Sequence, residues 1–196
     1  MSALDTAAAF VERLPGDRRV LVGIAGAPGA GKSTFAAALA ARLGAVVLPM
    51  DGFHLPQARL VELGRRERMG APDTFDVEGF VALLRALRTG ERVEAPGFDR
   101  DVEEPVPAAI AIEPGDRILI IEGNYLLHWP GVADLLDATI FVHLDDRVRR
   151  TRLVARHIAS GKSPAGARAW VLGPDEANAE LIAPGAARAG LVLELD

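Results

Sequence analysis

The sequence predicts a three-layer α/β/α fold on a mainly parallel five-stranded sheet, with a small β-hairpin and an arginine-bearing helix added to it. Three observations carry that expectation. Short apolar runs alternate with helical stretches along the chain, the pattern of parallel strands covered on both faces. The first run leads straight into a glycine-rich loop and then into a helix with its own stop signal. A later run, Arg117-Ile118-Leu119-Ile120-Ile121-Glu122-Gly123, is nearly all apolar, as a strand buried on both faces must be.

The elements follow in order. Ala7 to Leu14 reads as a short helix stopped by Pro15-Gly16. Arg19 to Ala25 is an apolar run of strand length. Ser33 to Leu43 is rich in alanine and leucine and ends at Gly44, a helix with its stop signal. Ala45 to Asp51 is a second short strand, closing on an acid. His54 to Asp76 is polar and arginine-bearing, a short helix and then loop. Val77 to Leu87 places Val77, Phe80, Val81, Leu83, Leu84 and Leu87 at helical spacing, with Gly90 beyond. Arg92 to Asp99 and Pro107 to Ile112 read as a hairpin around the acidic loop 101–105, where prolines suit an edge position. Thr139 to Leu144 is a further strand, Asp146 to Ala159 an arginine-dense helix, and Ala165 to Ala183 a helix interrupted at Gly173-Pro174. Leu191 to Leu195 closes the sheet.

Bulk composition narrows the function classes. The 196 residues suffice for one domain with a real core, expected over 1–196, and are marginal for two. A net charge of −5 implies no broad nucleic-acid surface, and the absence of cysteine excludes disulfides, thiolate metal sites and a cysteine nucleophile. Neither a signal peptide nor an apolar run long enough to span a membrane is evident. A cytoplasmic protein without nucleic-acid or membrane partners is the expectation, and a homodimer is compatible with it.

The glycine-rich loop is Gly26-Ala27-Pro28-Gly29-Ala30-Gly31-Lys32-Ser33, followed by Thr34. It fits G-x-x-x-x-G-K-[ST], in which glycines let successive N–H groups converge on phosphate, lysine reaches the β- and γ-phosphates, and the hydroxyl binds Mg²⁺. Strand, glycine loop and helix in that order are the context of a P-loop NTPase, and the helix N-terminus adds its dipole to the anion site. The loop alone therefore implies a nucleoside triphosphate with Mg²⁺. Ligands in parallel sheets bind at the carboxyl ends of the strands, and Asp51 and Glu122 both stand at such ends. One acid can hold the Mg²⁺ shell and the other accept a proton from an attacking hydroxyl. The alternative for either is a strand-end acid facing a helix N-terminus.

Arg147, Arg149, Arg150, Arg152 and Arg156 fall within ten residues, and Arg149, Arg152 and Arg156 share one helix face. Such a face can stabilise charge on a moving phosphoryl group, or it can be a solvated surface in an acid-rich protein.

The chain resembles the uridine kinase, phosphoribulokinase and bacterial pantothenate kinase group of P-loop kinases. Within the group it is most similar to bacterial nucleoside or fructose-transport-system kinase-like proteins. The likeness rests on Met50-Asp51-Gly52-Phe53-His54, Gly70 to Asp76, Pro96-Gly97-Phe98-Asp99-Arg100 and Ile121-Glu122-Gly123-Asn124-Tyr125-Leu126-Leu127, with the arginine helix and Asn178 extending it. It implies that Asp51 is the base toward the acceptor hydroxyl and that Glu122 is the acid near Mg²⁺. Asp73 would bind sugar hydroxyls, and Phe98, Asp99 and Arg100 would wall the acceptor pocket. Arg152 and Arg156 would belong to a lid over 146–183, and Asn178 would touch the acceptor. The acceptor-side insert would be 52–112. His54 is a further substrate candidate or a structural residue; Phe53, Phe75 and Phe98 suit packing equally well. Arg100 suits an anionic substrate group or a pairing with Asp101 or Glu103.

The chain also departs from the group. Gly52-Phe53-His54 stands where uridine kinases carry Ser-Phe-Tyr, and the hairpin sequence Phe98-Asp99-Arg100-Asp101 lacks a clear uracil-reading aromatic and histidine. The expected activity is thus ATP-dependent phosphoryl transfer to a hydroxyl of a small metabolite, such as a sugar, a nucleoside or a pantothenate-like acid. The rival reading is a P-loop protein that binds or hydrolyses nucleotide in a regulatory role, although no guanine-reading Asn-Lys-x-Asp segment is present.

Overall fold

A computed structural model describes residues 2–195. Strands β1 (Val20–Gly26), β2 (Val46–Pro49), β5 (Ile118–Glu122), β6 (Ala138–His143) and β7 (Leu191–Glu194) form one sheet in the order β2-β5-β1-β6-β7. Every pairing in it is parallel. Strand β1 is buried at all seven positions, as expected where helices cover both faces. Strands β3 (Val93–Asp99) and β4 (Glu104–Ile112) make a separate antiparallel hairpin.

One layer consists of α1 (Ala3–Val11) and α2 (Lys32–Leu43), whose Ala7, Val11, Phe35, Ala36 and Leu39 pack on Val22, Ile24, Ile140 and Val142. The opposite layer packs Phe80, Leu84 and Leu87 of α4 (Val77–Leu87), together with Phe53, Phe75, Tyr125 and Trp129, against Leu21, Leu119 and Ile121. Fully burying a side chain of this size stabilises by roughly 1.5–3 kcal/mol relative to leaving it exposed, so two apolar layers hold the sheet from both sides.

The differences from the expected elements have local causes. Helix α1 starts at Ala3 and not Ala7, because Ser2 and Asp5 form a reciprocal capping box. Strand β4 starts at Glu104 and not Pro107, so the hairpin turn is shorter than expected. Prolines are tolerated there because the ribbon is only two strands wide and its register shifts between Ala95 and Gly97. The segment 54–76 holds α3 (Gln57–Glu62) and two 3₁₀ turns. Gly173-Pro174 does not break the chain between α6 (Pro164–Trp170) and α7 (Glu176–Ile182). A π turn over Val171–Asp175 carries it through, since the wider turn accommodates a residue that has no N–H to give.

Helix α5 is Asp146–Ala159, as the sequence predicts, and Asp145 caps it by accepting from the amides of Arg147 and Val148. Among the described residues, no helix is long and apolar enough to cross a membrane.

Candidate active site

The glycine loop joins β1 to α2 at the carboxyl edge of the sheet. Gly29 has φ +78° and Gly31 has φ +88°, both in the left-handed region that favours glycine. A Cβ at Gly29 would stand 2.6 Å from Leu153 Cγ of α5, so the missing side chain is also what lets the arginine helix rest on the loop. No side chain caps α2, which leaves its first amides open to an anion.

Lys32 opens that helix, is only 8% exposed, and its Nζ donates to the Ala27 carbonyl at 3.1 Å. Burial pulls its pKa down to about 8, against the charges of Glu122 and Asp51, which hold it up. Ser33 Oγ donates to Glu122 Oε1 at 3.0 Å. Glu122, buried at the end of β5, has its pKa raised by burial, with the Lys32 charge opposing. Asp51 lies in the 3₁₀ turn Met50–Phe53 that follows β2. Parallel pairing brings Pro49, Glu122 and Ile24 into neighbouring register, which places both acids beside the loop.

A cleft of about 300 Å³ opens there, within the size range of small-molecule sites. Lys32, Ser33, Asp51, His54, Phe98, Arg100, Glu122, Arg156 and Asn178 all line it. Of the loop, Pro28 and Gly29 also line it. Thr34 is exposed and does not, nor do Gly26, Ala27, Ala30 and Gly31.

Three of the expected site residues have partners of their own. Asp73 is absent from the lining; its two carboxylate oxygens each accept from Arg68 at 2.6 Å, with Arg65 3.4 Å away. Arg100 pairs neither with Asp101 nor with Glu103; its Nη2 donates to Asp51 Oδ2 at 3.0 Å. Asn178 does face the cleft, but its Nδ2 donates to the Gly70 carbonyl at 3.3 Å, beside the Tyr125 hydroxyl at 2.6 Å.

His54 combines packing with the site. Its Nδ1 lies 2.9 Å from the Asp51 carbonyl, and its ring sits between Phe75 and Phe98, with centroids at 3.9 and 4.8 Å. Burial lowers its pKa, against the Asp51 charge, so the ring is neutral at pH 7. Its Nδ1 therefore carries the proton donated to Asp51.

The arginines of α5 divide by role. Arg149 is 1% exposed and gives Nη2 to both carboxylate oxygens of Glu176 at 3.0 Å, Nε to Asp146 at 3.0 Å and Nη1 to the Pro28 carbonyl at 3.4 Å. It therefore clamps α5 to α7 and to the phosphate loop. Arg150 also binds Glu176, at 2.9 and 3.0 Å. The Arg152 guanidinium comes 4.0 Å from where a Gly31 Cβ would stand, and Arg156 lines the cleft close enough to act on the Lys32 charge.

Sequence reasoning missed the wall beyond Arg156. His157 Nε2 and Asp175 Oδ2 lie 2.8 Å apart, and Lys162 Nζ sits 4.4 Å over the Trp170 ring, all four residues lining the same cleft. The available signal was the proline-bearing interruption at Pro174, since π turns recur at functional sites.

Residues 21–194 match the model of the Phosphoribulokinase / Uridine kinase family. The chain is 39% identical over 168 residues to "Putative uridine kinase C227.14" of Schizosaccharomyces pombe, covering 77% of this chain and 72% of that protein. It is 34% identical over 189 residues to the Escherichia coli protein YggC, covering 91% and 78%. Among solved structures, it is similar to a "putative fructose transport system kinase" from Silicibacter sp. TM1040, with a TM-score of 0.88, 40% identity, and coverage of 98% of this chain and 99% of that one. With its parallel sheet, its phosphate loop and its strand-end acids held in one cleft, this chain belongs to the phosphoribulokinase and uridine kinase family of P-loop kinases.

Proposed function

We propose that the protein transfers the γ-phosphate of ATP to a hydroxyl of a small metabolite. The observation that carries this reading is that one cleft joins Lys32, Ser33 and Glu122 to Asp51 and to a wall of His54, Phe98 and Arg100. A loop that only bound nucleotide would need no second half.

Ser33 Oγ and the Glu122 carboxylate are hard oxygen donors at 3.0 Å. That suits Mg²⁺, which takes one or two protein oxygens and shares substrate phosphates. When bound, the ion neutralises charge on the β- and γ-oxygens. Lys32 and the first amides of α2 hold the phosphates in line with the acceptor. Asp51 takes the proton of the acceptor hydroxyl as its oxygen attacks phosphorus. The bond from phosphorus to the β–γ bridging oxygen breaks, and ADP leaves with that electron pair. Arg152 and Arg156 bring planar donors to the charge that spreads over the moving group, and α5 with α7 serves as a lid that keeps water from competing with the acceptor.

A coupled ADP-release assay over nucleosides, free sugars, sugar phosphates and pantothenate tests the reading. ATP consumption that rises with an added hydroxyl compound supports it. Consumption indifferent to every added hydroxyl compound would favour a nucleotide-hydrolysing protein instead.

A further inference from the structure

Arg100 and Asp51 meet where the acceptor hydroxyl would have to arrive. The guanidinium extends from the hairpin turn with its side chain 60% exposed, and it donates to a carboxylate that is 28% exposed. Among the described residues, Asp51 is the acid with which Arg100 pairs. The other arginine on that wall is already engaged: Arg66 gives Nε to Gln57 Oε1 at 3.1 Å and Nη2 to Glu103 Oε2 at 2.6 Å.

The guanidinium occupies Asp51 Oδ2 at 3.0 Å, so an incoming hydroxyl has to compete with Arg100 for that oxygen. An exposed pair of this kind contributes little, because water screens it and two side chains must be held in place. A ligand anion can offer the same guanidinium two charge-assisted hydrogen bonds in a more enclosed setting. The exchange of Asp51 for such an anion is therefore downhill, whereas a neutral acceptor offers Arg100 nothing better than Asp51.

We propose that Arg100 makes the protein selective for hydroxyl acceptors carrying a carboxylate or phosphate, masking Asp51 until that anion draws the guanidinium away. This rests on the kinase reading above. The substrate's own charge then frees the base that deprotonates the substrate's hydroxyl. The attacking oxygen, the departing ADP and the proton taken by Asp51 are those of the transfer already described. His54 and Phe98 present apolar ring faces beside Arg100, and Arg66 is held by Gln57 and Glu103.

The test is steady-state ADP release at saturating ATP and Mg²⁺ with matched pairs, ribose against ribose 5-phosphate and pantothenol against pantothenate, in wild type and Arg100→Ala. Thermal melting confirms that this exposed substitution leaves the fold intact. The anionic member of at least one pair should win by about 100-fold in kcat/KM, the lower end of what acid–base assistance contributes. The pair that responds tells phosphate from carboxylate. In Arg100→Ala the anionic substrate should lose most of that advantage, while the neutral partner and acceptor-free ATP hydrolysis gain several-fold from an unmasked Asp51.

Equal use of neutral and anionic members by wild type would overturn the proposal. So would an equal loss on every acceptor with a raised KM for ATP, which would assign Arg100 to the γ-phosphate. If no member of the panel is turned over, unchanged acceptor-free hydrolysis in Arg100→Ala still overturns it. Phosphorylation of neutral acceptors by the wild type as efficiently as of anionic ones would leave the kinase reading standing while removing this one.

Discussion

Ser33 Oγ donates to Glu122 Oε1 at 3.0 Å across 89 positions of sequence. The contact joins the first turn of α2 to the end of β5, and it exists because β1 and β5 pair in parallel with Ile24 opposite Glu122. It gives the cleft a pair of oxygens of the kind that hold Mg²⁺.

Glu122→Gln keeps the shape and can still accept from Ser33, but it removes the charge. It should lower apparent Mg²⁺ affinity by about 10–100-fold, the range seen when groups that orient or tune a metal are changed. Titrating Mg²⁺ at fixed ATP checks this. An unchanged Mg²⁺ dependence would remove Glu122 from the metal's surroundings.

Asp51→Asn should reduce transfer by about 10²–10⁴-fold, the usual contribution of a positioned base. ATP binding, measured by calorimetry without acceptor, should change little. A collapse of ATP affinity instead would make Asp51 part of the nucleotide site.

Lys32 sets a pH dependence. Its folded pKa of about 8 lies below the ordinary value of 10.5, chiefly through burial. As pH rises through about 8 the free protein loses the lysine charge, so kcat/KM for ATP should fall above that pH. The limb in kcat should lie higher, because bound phosphates favour the charged form. Between about 8 and 10.5 the unfolded chain holds more protons at this group than the folded one, so its contribution to stability grows with pH over that window. A flat ATP profile to pH 9.5 would contradict the assignment.

Arg149 and Arg156 share a helix but should fail differently. Arg149→Ala removes a buried arginine from Glu176, and breaking such a pair costs about 3–5 kcal/mol. At about 2–4 °C per kcal/mol for a chain of this size, the melting temperature should drop by roughly 6–20 °C. Arg156→Ala should leave melting nearly unchanged and lower turnover. Calorimetry and ADP release on both variants separate the roles; equal melting losses would make Arg156 structural too.

Much of the fold was legible because its signals are local. The apolar run before Gly26, the stop at Gly44 and the helical spacing from Val77 to Leu87 all report on neighbours within a turn or a strand. The loop side of the cleft was legible for the same reason: Lys32 and Ser33 belong to one continuous loop. The charge pairings on the opposite side were not. Asp73 has the residue type and position expected of a sugar ligand, yet it is taken by Arg68 and Arg65 from a nearby turn.

Arg19 shows the same limit. In sequence it merely precedes an apolar strand, but in the structure it is buried and donates to the carbonyls of Leu87, Gly90, Glu91, Glu113 and Asp116. Those acceptors lie 68 to 97 positions away, and no local pattern announces them.

From sequence alone the chain determined a parallel α/β sheet, a phosphate loop, and two acids at strand ends beside it, because hydrophobic period and loop chemistry are short-range properties. Only the tertiary structure decided which charges meet: Arg100 with Asp51, Arg149 with Glu176, Arg68 with Asp73. Arginine side chains are long, and their partners are chosen by how elements pack across the cleft, which depends on the whole fold.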